Sequence, residues 1–153
     1  MSMIRWATLF SSDYQDWPTP DDLFRILDAE FHFTLDACAT PTNAKCEHYY
    51  TVLDDGLSQD WGAQRVWVNP PYDDTRAWLA KGHKSAQAGA LVVCLIAART
   101  DNRAWHDYAM SASEIRFLRG RLRFGNARNT APFPSAIVIF RPSNAPDEQL
   151  SLF

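Results

Sequence analysis

The sequence predicts one three-layer α/β domain, and three observations carry that prediction. Val66-Trp-Val68 and Ala90-Leu-Val-Val-Cys-Leu-Ile-Ala97 are apolar and strand-sized, the pattern of strands covered on both faces of a largely parallel sheet. Helix-like segments stand before, between and after them, so strands and helices alternate. At 153 residues the chain suits a single domain with a single core.

Taken in order, residues 1–15 read as an N-terminal extension whose Ile4, Trp6, Leu9 and Phe10 can tuck against the body. A helix follows over 21–30. Thr19 suits its N-cap, Pro20 its first turn, Asp22 a capping-box carboxylate, and Leu23, Phe24 and Leu27 form its apolar face. The N–H groups at its start can receive a ligand carboxylate, although a plain capped surface helix has the same signature. Phe31 to Ala39 reads as a strand, with Phe31, Phe33 and Leu35 alternating. Asp36 at its end can accept hydrogen bonds from a ligand ammonium or hydroxyl. Ala37, Cys38 and Ala39 let the backbone come close to a ligand. Residues 43–51 are ambiguous between a short helix and a strand. Asp55-Gly56 marks a turn, and the Asp55 side chain can face a cleft.

The segment after the first buried strand, Asn69-Pro-Pro-Tyr72, concentrates the chemistry. Two prolines stop strand or helix and fix the local backbone. Ligands of open α/β sheets bind beyond the carboxyl ends of strands, where this corner stands. A conjugated amine is a poor nucleophile because its lone pair is delocalised. The Asn69 side-chain oxygen and the Pro70 carbonyl can accept both of its N–H bonds, and Tyr72 can stack on the planar group that carries it. Such acceptors help most if they strengthen as positive charge develops on nitrogen.

Asp73 to Gly89 reads as a helix with Asp74 as N-cap and Gly82 as a weak point. After the strand at 90–97, Asp101 is placed to cap a helix through about Ser111. Arg99, Asp101, Arg103 and His106 then fall at the same sheet edge as Asn69. Glu114 to Gly125 alternates apolar residues with arginines and breaks at Gly120. A loop to Phe133 leads to a final strand over 134–140, antiparallel to the one before it, and residues 142–153 read as a polar tail.

The formal net charge of -3 does not advertise nucleic-acid binding, but the distribution is uneven. Asp13 to Asp60 holds eleven acids against Arg25 and Lys45, whereas Arg99 to Arg128 holds seven arginines against three acids. An acidic chain can thus carry one cationic face. The longest apolar run, Ala90 to Ala98, is far too short to cross a membrane. Three cysteines are an odd number, so a disulfide framework is not expected and a reducing cytosol is the default. Cys38, Cys46 and His48 lack zinc-site spacing, and no metal is expected.

The corner, together with Asp16-Trp-Pro-Thr-Pro20, Leu35-Asp-Ala-Cys-Ala39, Asn43-Ala-Lys-Cys46, Asp55-Gly-Leu57, Arg99-Thr-Asp101 and Gly120-Arg-Leu-Arg-Phe124, resembles the small phage-encoded DNA N6-adenine methyltransferases. The likeness spans about Asp16 to Phe140, and residues 16–141 would form the methyltransferase domain. It implies the Rossmann-like class I methyltransferase sheet of seven strands, mostly parallel with the last antiparallel. It implies S-adenosyl-L-methionine as cofactor and DNA as partner, with the target adenine flipped out. By the same likeness the cofactor would meet Thr19, Pro20, Asp36, Ala37, Cys38, Glu47, Asp55 and Asn69. Asn69, Pro70 and Tyr72 would be catalytic. Pro71, Tyr72, Arg99, Asp101, Arg119, Arg121, Arg123 and Arg128 would meet DNA. The glycine-rich first cofactor motif of the broader family is absent; Ala37 and Ala39 stand in its place. The chain leaves little room for a separate target-recognition domain, so the target would be read by loops, chiefly after Tyr72 and around 119–133, or by a partner subunit, and a short or relaxed target is expected. The likeness also implies the cytoplasm of a bacterial host. Monomer and homodimer both stay open. The same corner occurs in cytosine-N4, RNA-base and release-factor glutamine methyltransferases, and a non-catalytic module of this fold is a further alternative.

Overall fold

A computed structural model describes residues 18–124 and 128–143. The expectations for residues 1–15, for Asp16 and Trp17, and for the tail from 144 onward lie outside them. The described residues form a five-stranded sheet in the order β1-β2-β3-β5-β4. These strands are β1 (Leu35–Asp36), β2 (Arg65–Val68), β3 (Leu91–Ala97), β4 (Glu114–Phe117) and β5 (Ser135–Phe140). β1, β2 and β3 pair in parallel, and β5 runs antiparallel to both β3 and β4. The last strand is therefore inserted in reverse between two that share a direction, consistent with the Rossmann-like class I methyltransferase fold, although the described residues form five strands rather than the seven the likeness implies.

Alternation along the strands builds the three layers. Trp67, Val93, Leu95, Ile137 and Ile139 face helix α1 (Asp21–Phe31) through Phe24, Leu27 and Phe31. Val66, Val68, Val92, Cys94, Ile96 and Val138 face the other way, toward helix α2 (Thr75–Gln87) and the short helix α3 (Arg103–Asp107). Both central strands are nearly all apolar because both of their faces are covered.

Several elements differ from the sequence expectation at their ends. α1 starts one residue late for a threonine cap: Pro20 is the N-cap, and its carbonyl accepts from Phe24 N at 3.1 Å. The Asp22 carboxylate accepts from the neighbouring Leu23 N instead of closing a capping box. Phe31 closes the helix rather than opening a strand, because its ring belongs to the α1 face of the core. His32 turns left-handed, and only Leu35 and Asp36 are extended. The ambiguous stretch 43–51 is neither helix nor full strand; Tyr49 makes one parallel bridge to Asp36. α2 is preceded by a 3-10 turn at Tyr72–Asp74, with Asp74 at its N-cap position. Asn102, not Asp101, caps α3 by accepting from Trp105 N at 3.3 Å. The expected helix through Ser111 breaks at Tyr108 and resumes as a 3-10 turn. β4 ends at Phe117, so Arg119, Arg121 and Arg123 lie on an irregular segment. The edge strand β4 is tied down by Arg116, which grips the Glu30 carboxylate with two bonds of 2.7 Å.

Two glycines mark close approaches. A Cβ at Gly82 would stand 3.1 Å from Val92 Cγ1 and 3.3 Å from the Phe140 ring, so α2 lies tight on the sheet there. At Gly56 a Cβ would fall 2.2 Å from the Ala37 carbonyl oxygen, which no small adjustment relieves. Gly56 thereby draws the 51–61 loop onto the end of β1. Gly56→Ala is expected to cost about 2 kcal/mol or more of stability through backbone overpacking. Urea unfolding of the variant against the parent measures it; an unchanged midpoint would show that the loop is not packed this way.

Candidate active site

The reversed β5 has one consequence for the site. Loops after β1, β2, β3 and β4, and the loop before β5, all emerge at one edge of the sheet. The expected site residues come from those loops and from the start of α1.

Asn69 leaves β2 half-buried, followed by Pro70 and Pro71, both buried. Its side-chain Nδ2 donates to Thr19 Oγ1 at 3.1 Å across fifty residues of sequence. The bond ties the Asn69 amide to the start of α1, and with Nδ2 on Thr19 the Oδ1 lies at the other end of the amide. Thr19, 4% exposed, is thus a positioning group for Asn69 rather than a helix cap. The Pro71 carbonyl accepts from Asp74 N at 3.0 Å and is used by the turn. Among the described residues no donor meets the Pro70 carbonyl. One oriented amide oxygen and one proline carbonyl therefore stand at adjacent positions on a rigid corner.

On the β1 side, Asp36 is buried and its two oxygens accept from Cys38 N at 3.3 Å and Lys45 N at 3.0 Å. Burial pushes its carboxyl up to about 6, against the opposing pull of those backbone bonds and the Lys45 charge. Lys45 also reaches Asp21 at the start of α1, 2.6 Å away. It joins the loop after β1 to the helix end beside Thr19. Ala37 N bonds Trp67 O and Ala39 N bonds Tyr50 O, so this small-residue turn is drawn against its neighbours. Asp55 sits next to it in a left-handed conformation, φ 53°. A non-glycine residue held there is strained, and such strain gathers at ligand sites. Glu47 is exposed and precedes the Tyr49 bridge, on the amino side of that short extended segment. The Cys46 thiol is pushed up to about 12, mainly by burial, so it is no thiolate nucleophile at neutral pH.

On the other side, the Tyr72 ring is braced by Phe133, with centroids 4.7 Å apart, and by Phe124 edge-on at 6.4 Å. Burial pushes its phenol up, while the Arg99 charge pulls the other way. Arg99 lies over the Phe133 ring, 5.4 Å from its centroid. Tyr72, Phe124, Phe133 and Arg99 thus form one cluster. Asp101, Arg119, Arg121, Arg123 and Arg128 are exposed outside it. Phe133, Lys45 and Asn102 carry contacts that sequence reasoning did not assign. A hint of Phe133 lies in Ala131-Pro-Phe-Pro134, an aromatic between prolines just before a buried strand.

Among the described residues no helix is long and apolar enough to cross a membrane. The sequence is 26% identical over 140 residues to the DNA N-6-adenine-methyltransferase of Haemophilus phage HP1, an alignment covering 86% of this chain and 81% of that protein. It is also 26% identical over 108 residues to the DNA N-6-adenine-methyltransferase of Escherichia phage T1, covering 69% of this chain and 45% of that longer protein. The family of DNA N-6-adenine-methyltransferases (Dam) matches over residues 7–153, nearly the whole chain, and this protein belongs to that family.

Proposed function

We propose that this chain transfers the methyl group of S-adenosylmethionine to the N6 amino group of adenine in DNA, with Asn69, Pro70 and Tyr72 at the reacting centre. Family membership supports the reaction class. The observation that supports the residue assignment is the Thr19–Asn69 bond, which ties the Asn69 amide to the start of α1 at the corner that also carries the Pro70 carbonyl. Bound S-adenosylmethionine supplies an electrophilic methyl group on a sulfonium. The chain's own residues fit such a cationic, amphoteric group. Asp36 and Asp55 supply carboxylates, Ala37 and Cys38 a small-residue turn, and Thr19 and Pro20 the amino end of α1 beside Lys45.

Asn69 Oδ1 and the Pro70 carbonyl accept the two N–H bonds of the target amine. That arrangement turns the nitrogen lone pair out of conjugation and toward the donor side. Both acceptors gain strength as the nitrogen becomes positive, so they favour the transition state over the ground state. Because the prolines hold them in place, little reorganisation is needed. The Tyr72 ring, backed by Phe124 and Phe133, stacks on a base rotated out of the helix. Arg99, Arg119, Arg121, Arg123 and Arg128 meet phosphates, which position DNA without reading its sequence. Such an enzyme acts in the cytoplasm of a phage-bearing host.

Incubation with labelled cofactor and unmethylated DNA, followed by nucleoside mass spectrometry, should yield N6-methyl-2′-deoxyadenosine; N4-methyl-2′-deoxycytidine or no methylated nucleoside would overturn the reading. Asn69→Ala is expected to lower kcat by about two to three orders of magnitude. Calorimetry should find the same variant still binding cofactor within about threefold of the parent; full turnover would remove Asn69 from the mechanism.

A third expectation concerns pH. The Asp36 carboxyl sits near 6, so it is largely ionised at pH 7 and largely protonated at pH 5. If it holds a donor of the cofactor, affinity should be full above that midpoint and weaken up to about tenfold for each pH unit below it. Calorimetric titration from pH 5 to 8 checks this. Asp36→Asn should flatten the profile, and a parent dissociation constant independent of pH would count against the role.

A further inference from the structure

Phe117 closes β4 and is 66% exposed, whereas the other three residues of the strand are half-buried. Its ring has one aromatic neighbour. Trp105 lies parallel to it, with centroids 6.0 Å apart and planes 8° from each other. Trp105 is itself 2% exposed, and its indole Nε1 donates to the Ala97 carbonyl at 3.2 Å. The Phe117 ring is therefore flanked by an anchored, parallel and offset aromatic while most of its surface stays open to solvent. A single exposed aromatic is ordinary by itself; the anchored ring behind this one and the residues beside it set it apart.

Its position narrows the partner. β4 runs parallel to β3, so Phe117 stands at the same sheet edge as the Asn69–Tyr72 corner. Three strand spacings of about 4.8 Å separate β2 from β4, or roughly 14 Å. The chain passes directly from Phe117 into Arg119, Arg121 and Arg123, all exposed. Among the described residues these three and Arg128 enter no ion pair. A second copy of the chain would need about 800 Å² of complementary surface on each side, far more than one ring offers. A flat ring, rigidly backed and bordered by unpaired cations, matches a nucleobase with its phosphates.

We propose that Phe117 is a stacking platform for a DNA base that flanks the target adenine, with the arginines of 119–128 holding the adjoining phosphates. This rests on the reading that the chain methylates adenine in DNA. At about 3.4 Å per nucleotide of stacked strand, the distance places that base up to about four positions from the target, and closer if the strand is pulled open.

The test uses the full chain and a duplex oligonucleotide with one target adenine and 2-aminopurine two to four positions away. With the parent, 2-aminopurine fluorescence should change on binding at one of those positions. Phe117→Ala and Phe117→Leu should abolish that change and raise the KM for DNA on the order of tenfold. The KM for cofactor and the melting temperature should stay at parental values, and Phe117→Trp should restore DNA binding. A DNA KM unaffected by Phe117→Ala overturns the platform. So does Phe117→Leu behaving as the parent, since that would mean apolar packing rather than stacking. A photo-cross-linking residue at 117 that captures a second copy or the chain's own termini, in place of DNA, also overturns it. If the parent methylates no adenine in any DNA, the underlying reaction assignment fails; the fluorescence and cross-linking arms then still decide whether Phe117 stacks a base.

Discussion

β2 is hydrogen-bonded on both sides, covered on both faces, and ends in two prolines. That leaves the backbone at Asn69–Tyr72 almost no freedom, and the site depends on it. The role proposed for the Asn69 amide oxygen and the Pro70 carbonyl, as acceptors for a poorly nucleophilic amine, requires that they be aimed before the substrate arrives. Pairing with β1 and β3 fixes where Asn69 begins. The prolines restrict the backbone that follows, and the turn at Tyr72–Asp74 consumes the Pro71 carbonyl so that Pro70 is the one presented. Thr19 then orients the remaining rotor, the Asn69 amide.

The sheet order also explains the charge pattern. β1 and the loops around it carry Asp36, Asp54 and Asp55 and lie to one side of β2. The segments that follow β3 and β4 carry Arg99, Arg119, Arg121 and Arg123 and lie to the other. Insertion of β5 in reverse returns residues 118–124 and 128–134 to the same edge. Acidic and basic loops therefore occupy opposite ends of one edge, with the proline corner between them. The formal net charge of -3 averages two surfaces of opposite sign and describes neither.

Much of this was legible from residue order. Buried strands at 66–68 and 90–97, the helix between them, and a reversed final strand all follow from periodicity and from the family likeness. Errors fell where local and long-range preferences compete. Phe31, Phe33 and Leu35 alternate like a strand, yet Phe31 completes the apolar face of α1, and burial there outweighed the local pattern. Thr19 has the residue type of a cap, but a helix start is set by which carbonyl accepts first, and that carbonyl belongs to Pro20. Gly82 looked like a weakness in its helix and instead lets α2 approach Val92 and Phe140.

Side-chain chemistry and spacing along the chain were enough to single out the corner, its acceptors and the fold that carries it, because those depend on neighbours in sequence. The partners were not visible there. Thr19 meets Asn69, Gly56 meets Ala37, Phe133 braces Tyr72, and Trp105 backs Phe117, each across a gap that no local rule spans. Such contacts exist only once strands pair and helices settle on their two faces, so packing alone chose them.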